Sequence, residues 1–127
     1  MRAAFVVTAR LGTEMPTRIA DVTAENFAER VIAASFQRPV LVEYWAPWCG
    51  PCRLLFPLLE KMAREFSGRL TVVKLDVEAA PVLADRYAAR GVPQLQLFKD
   101  GEMVMEKSGL MPEANLRQLL LRYAVSP

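Results

Sequence analysis

The stretch Val40-Leu41-Val42-Glu43-Tyr44-Trp45-Ala46-Pro47-Trp48-Cys49-Gly50-Pro51-Cys52-Arg53 decides how this chain folds. Its first six residues form a nearly unbroken apolar run of β-formers, the pattern of a strand covered on both faces. A turn follows, and the residues from about 49 to 66 read as a helix. Leu55, Leu58, Leu59, Met62 and Phe66 fall on one face of it. Pro57 removes a backbone donor from its interior, which predicts a kink.

Outward from this core, residues 18–22 read as a short strand. Thr23 is placed to cap a helix over about 24–35, with Phe27, Val31 and Ala34 on one face. Downstream come a strand over 70–77 and a short helix over 81–87. Residues 94–99 and 102–107 flank Asp100-Gly101, a strong hairpin signal. A last helix over about 112–123 turns Leu116, Leu119, Leu120 and Tyr123 inward. The order β-α-β-α-β-α-β-β-α predicts an α/β fold. It has a mixed central β-sheet, with parallel crossovers plus a C-terminal antiparallel hairpin, flanked by helices on both faces. Chemistry in such sheets sits beyond the carboxyl ends of the strands, where Cys49 falls. Residues 1–17 read as a flexible N-terminal extension and 18–127 as the single domain.

Composition narrows the function. The chain has 127 residues, with 16 basic against 14 acidic and a net charge of +2. These charges are scattered, so nothing points to nucleic acid or a membrane surface. No apolar run approaches the roughly 18 residues that cross a bilayer. The apolar patch at positions 3–7 is shorter than a secretory signal requires. The absence of histidine removes Ser-His-Asp, Cys-His and most catalytic zinc chemistry. Two cysteines cannot close a tetrahedral thiolate site within one chain, so no metal is expected.

Cys49 and Cys52 stand where a strand gives way to a helix. Free N–H groups and the helix dipole favour a thiolate at Cys49 over a thiol. Cys52, one turn along, faces inward and is less exposed. Cysteines three apart at a helix start can meet disulfide geometry. A purely structural staple fits poorly, because so short a loop yields little entropic stabilisation. The same spacing also suits half of an intersubunit metal site, or a buried pair with no chemistry.

Trp45-Ala46-Pro47-Trp48-Cys49-Gly50-Pro51-Cys52 resembles the active site of the thioredoxin family. Gly91-Val92-Pro93 is similar to the family loop whose proline is cis and faces the dithiol. Phe98-Lys99-Asp100-Gly101 resembles the family hairpin, and Gly109 the glycine lining the substrate groove. The resemblance implies a thioredoxin fold and a protein-disulfide reductase, with Cys49 as nucleophile and Cys52 as resolving thiol of a redox-active disulfide. It implies that Gly50 and Pro51 hold the turn and influence redox poise. It also implies that Trp48, Gly91, Val92, Pro93 and Gly109 form the surface that receives the substrate backbone. Lys74 matches the lysine beneath the dithiol. No bound cofactor is implied. Electrons would come from a thioredoxin reductase, dependent on NADPH or ferredoxin, and pass to disulfide-containing target proteins. Monomer is the family default, and a cytoplasmic location is expected.

Glu43 departs from the family pattern, which usually has aspartate there. A lone carboxylate in a central strand is costly unless partnered or protonated. Burial should raise its pKa, which suits a general base for Cys52, while Lys74 opposes the rise. The simpler assignment is a structural acid paired with Lys74, itself otherwise a solvated charge. Glutamate here also resembles the membrane-tethered reductases of cytochrome maturation, which makes a dedicated extracytoplasmic disulfide reductase a second candidate. A thioredoxin-fold binding or holdase module is a third. Gln96, between Leu95 and Leu97, needs hydrogen-bond partners if buried. Gln94 stands where threonine is common, and Arg53 where lysine is. Trp45 reads as packing and Trp48 as a groove contact, while Met103, Met105 and Met111 read as packing or surface filler.

Overall fold

The computed structural model describes residues 19–87 and 91–124; the expected extension over 1–17 lies outside them. Five strands, β1 (Ala20–Asp21), β2 (Val40–Trp45), β3 (Thr71–Asp76), β4 (Gln94–Lys99) and β5 (Glu102–Ser108), form one sheet in the order β1-β3-β2-β4-β5. β3 pairs in parallel with β1 and β2, whereas β4 runs antiparallel to β2 and β5. Helices α1 (Gly50–Glu65), α2 (Pro81–Arg86) and α3 (Glu113–Tyr123) connect or close the strands. This is the mixed, helix-flanked sheet that the pattern predicts.

Strand parity sorts the core into two layers. On one face, Leu41, Leu95 and Leu97 pack with Leu55, Leu59, Met62 and Phe66 from α1 and its end, and with Leu116 and Leu120 of α3. On the other, Val40, Val42, Tyr44, Val73, Leu75 and Phe98 meet Phe27 and Val31. Glu43 alternates with Val42 and Tyr44, so it projects to the α1 face; Gln94 and Gln96 share Phe98's parity and project to the other.

Local chemistry sets the boundaries. The Thr23 backbone N–H donates to Asn26 Oδ1 at 2.8 Å and the Asn26 N–H to Thr23 Oγ1 at 3.3 Å, a reciprocal pair that closes the turn ahead of the helix, whose N-cap is Phe27 and not the expected Thr23. The helix expected after it is looser and then tighter than an α-helix: π-helical over Ala28–Ala33, then a 3-10 turn over Ala34–Phe36. That irregular end lets Ser35 serve the β4–β5 hairpin. Its carbonyl accepts the Asp100 N–H at 3.0 Å and its hydroxyl oxygen the Gly101 N–H at 2.8 Å. Asp100 and Gly101 both have positive φ, 53° and 83°, the twist a two-residue hairpin needs. α1 runs continuously across Pro57. Tyr123, expected inward, lies in the last turn of α3, is 38% exposed, and carries the Arg122 guanidinium over its ring. Met62 and Met105 are core, and Met103 is exposed.

Candidate active site: a disulfide at a helix start

Cys49 is the N-cap of α1, in extended geometry (φ −89°, ψ 103°), and Cys52 lies in the first helical turn. Pro51 fits this turn, where a missing N–H costs nothing. The two sulfurs are joined in a disulfide, with Cα atoms 5.3 Å apart. The Cys52 backbone N–H also donates to Cys49 Sγ at 3.1 Å. A donor on that sulfur, at the positive end of a 16-residue helix, stabilises a thiolate once the disulfide opens. Cys49 retains 3% exposure and Cys52 none, so attack from outside falls to Cys49.

The sulfurs pack with Ala46, and Trp45, Val77 and Val92 lean on them. The Val92–Pro93 peptide is cis, as the resemblance implies. The Pro93 carbonyl accepts the Gly109 N–H at 2.9 Å, which ties Gly109 to the loop that carries Gly91. Gly109 needs its φ of +84°, a conformation open to glycine. Trp48 is 66% exposed beside the dithiol, its indole N–H donating to the Glu78 carboxylate. Arg53 donates to the Pro47 carbonyl, and Gly50 is open to solvent.

Glu43 is fully buried, and neither carboxyl oxygen has a hydrogen-bond partner among the described residues. Desolvation pushes its pKa up to about 8, against the lowering influence of Lys74. Lys74 is its register partner across β2 and β3. The ammonium, however, is not paired with it, which corrects the structural-pair expectation: Lys74 Nζ lies 2.8 Å from Asp21 Oδ1. Trp45 and Phe56 stack edge to face at 5.4 Å, with the Lys74 ammonium near both rings. Trp45 is only partly buried, and its indole nitrogen has no partner among the described residues.

Gln96 has the partners its burial demands. Its Oε1 accepts the Tyr44 hydroxyl at 2.7 Å, and its amide donates to the Tyr87 carbonyl at 2.7 Å and to Glu106 at 2.9 Å. Gln94, next to Pro93, donates to the same carboxylate. Asp21, Glu78 and Glu106 carry no motif: strand register brings Asp21 to Lys74 and Glu106 to Gln96, and the turn after β3 brings Glu78 to Trp48. Among the described residues no group of three or more metal-ligating side chains is assembled, and no helix is long and apolar enough to cross a membrane.

A family model described as Thioredoxin matches residues 18–122. The chain belongs to the thioredoxin family. It is similar to a thioredoxin of Pseudomonas aeruginosa, 40% identical over 106 residues that cover 84% of this chain and 96% of the relative. It is also similar to thioredoxin 1 of a Nostoc species, at 38% over 104 residues, 82% of this chain and 95% of the relative. A chloroplastic M-type thioredoxin of Spinacia oleracea is 35% identical over 111 residues, 87% of this chain and 60% of the relative. Family membership and the closed Cys49–Cys52 pair together make this a disulfide oxidoreductase centre.

Proposed function

We propose that the chain is a protein-disulfide reductase in which the helix-capping Cys49, its sulfur held by the Cys52 N–H, is the nucleophile. In the reduced form the Cys49 thiolate attacks one sulfur of a target disulfide. The target S–S bond breaks, a Cys49–target bond forms, and the other target sulfur leaves as a thiolate. Cys52 then loses its proton through water to the Glu43 carboxylate, and its sulfur attacks Cys49 Sγ. The intrachain disulfide closes, the mixed disulfide breaks, and the second target sulfur leaves. Glu43 returns its proton and solvent supplies the other, so two electrons and two protons have passed to the target.

Trp48, Gly50, Pro51, Gly91, Val92, Pro93 and Gly109 present the target backbone to Cys49, and Lys74 tunes the Glu43 proton. This reading gives the chain no resident cofactor. A separate thioredoxin reductase, drawing on NADPH or ferredoxin, returns the two electrons. The domain over 18–127 acts as a monomer in the cytoplasm, with 1–17 as an accessory extension.

Dithiothreitol-driven reduction of insulin tests this. Turnover is expected in the wild type and absent in Cys49→Ser, with Cys52→Ser accumulating mixed disulfides. Folded wild-type protein without turnover overturns the proposal.

A further inference from the structure

Lys74 stands on β3 between two carboxylates. Register pairing puts Asp21 of β1 on one side of it and Glu43 of β2 on the other. Residues paired in register project to the same face of a sheet, so one lysine has two acids within its swing. It is committed to the outer one: Nζ lies 2.8 Å from Asp21 Oδ1 and 3.5 Å from the Ile19 carbonyl oxygen. Both oxygens of the inner acid are unpartnered among the described residues. The other charged groups nearby are accounted for. Glu60 of α1 lines, with Ile19, Asp21, Phe56 and Lys74, a cleft of about 360 Å³. Asp76, further along β3, accepts the Glu78 N–H at 2.9 Å. β4 offers Glu43 the apolar Leu95.

The two pairings differ in strength. The Asp21 side chain is 66% exposed, so its ion pair is screened by solvent and weak. An ionised Glu43 would sit at zero exposure, where the same charges attract more strongly. While Glu43 holds its proton it offers no net charge, and the outer site wins.

We propose that Asp21 is a positioning residue: it parks Lys74 away from Glu43 while Glu43 is protonated and releases it inward when Glu43 ionises. The inference deepens the general-base reading, because the lysine's position decides how much of Glu43 is ionised, and so able to take the Cys52 proton, at each resolving step. The lysine's choice between the two acids stands on the strand register and does not need the reaction.

The test is the pH titration of the Glu43 carboxyl carbon by NMR in the full-length oxidised protein. Asp21→Asn is expected to lower the midpoint by about one pH unit or more, since Glu43 is then the register-paired acid left to Lys74. Lys74→Met is expected to raise it, and the double variant to titrate like Lys74→Met. An equal fall caused by Asp21→Asn in both backgrounds would mean that Asp21 acts by its own charge, and would overturn the proposal; so would an unmoved midpoint in Asp21→Asn. Lys74→Gln replaces Lys74→Met if the latter is poorly folded. Insulin turnover unchanged in Glu43→Gln would sink the base reading alone and leave these midpoints as the judge of Asp21.

Discussion

A buried acid whose pKa rises on folding makes stability fall with pH, and Glu43→Gln isolates that effect. The unfolded carboxyl titrates near 4.5 and the folded one near 8. Between those values the folded state holds a proton that the unfolded state has lost, so stability is greatest below 4.5 and declines until the pH passes 8. At 1.36 kcal/mol per pH unit, the interval from 4.5 to about 8 amounts to about 5 kcal/mol. Most of this, about 3–4 kcal/mol, falls between pH 5 and pH 8, a large share of the stability of a small domain. The glutamine variant has no proton to lose. Its amide is as poorly partnered as the carboxyl, but that cost is the same at every pH. The assay is urea unfolding of oxidised wild type and Glu43→Gln at pH 5, 6, 7, 8 and 9, with the other carboxylates cancelling in the difference. Relative to the variant, the wild-type midpoint should fall by about 1–3 M urea between pH 5 and pH 8. Parallel curves across the range would falsify the claim that Glu43 is buried as a neutral acid.

Gly101→Ala should cost about 1–2 kcal/mol or more, because the residue has φ +83° and a Cβ would come within 2.6 Å of the Phe36 ring. Adding Phe36→Ala should recover only the steric part, leaving the backbone strain visible in thermal unfolding. Gln96→Leu strands the Tyr44 hydroxyl and the Tyr87 carbonyl, at a cost of about 1–3 kcal/mol per group. Combining it with Tyr44→Phe should cost less than the sum of the single changes, and strict additivity would show that the hydroxyl was never dependent on Gln96. Arg117→Ala loses ion pairs to Glu65 and Glu113, but all three groups are solvent-accessible. A small loss of stability that shrinks further in high salt is expected.

The features legible in the sequence were those written in local patterns. The apolar run at 40–45, the period of α1, the Asp100-Gly101 turn and the Cys-x-x-Cys at a helix start each depend on neighbours within a turn or a hairpin. The illegible features depend on register between distant segments. Asp21 meets Lys74 across 53 positions, and Gln96 reaches Tyr44 across 52. Nothing near Asp21 in the chain marks it as a lysine's partner; only the parallel pairing of β1 with β3 does so. The irregular segment over Ala28–Ala33 was illegible for a related reason. Its apolar spacing suits an ordinary helix, while its geometry answers to packing on β4 and to the Ser35 contacts with the hairpin.

Two of the buried polar residues of the central strands, Gln96 and Glu43, make an instructive contrast. Gln96 is fully buried on one face of the sheet and makes three hydrogen bonds, so a position that breaks the apolar pattern carries little penalty. Glu43 is equally buried on the other face and makes none with the described residues, although a lysine stands one strand away. A fold that can satisfy an amide so completely has the means to satisfy a carboxylate. Here the lysine that could do it is held 2.8 Å from a different acid. A buried acid left unpaired has both its protonated and its ionised form within reach near neutral pH, which is what a proton carrier beside a dithiol requires. The unsatisfied residue is thus where the requirements of folding and of chemistry part, and the cost of leaving Glu43 unpartnered is the pH-dependent loss of stability described above.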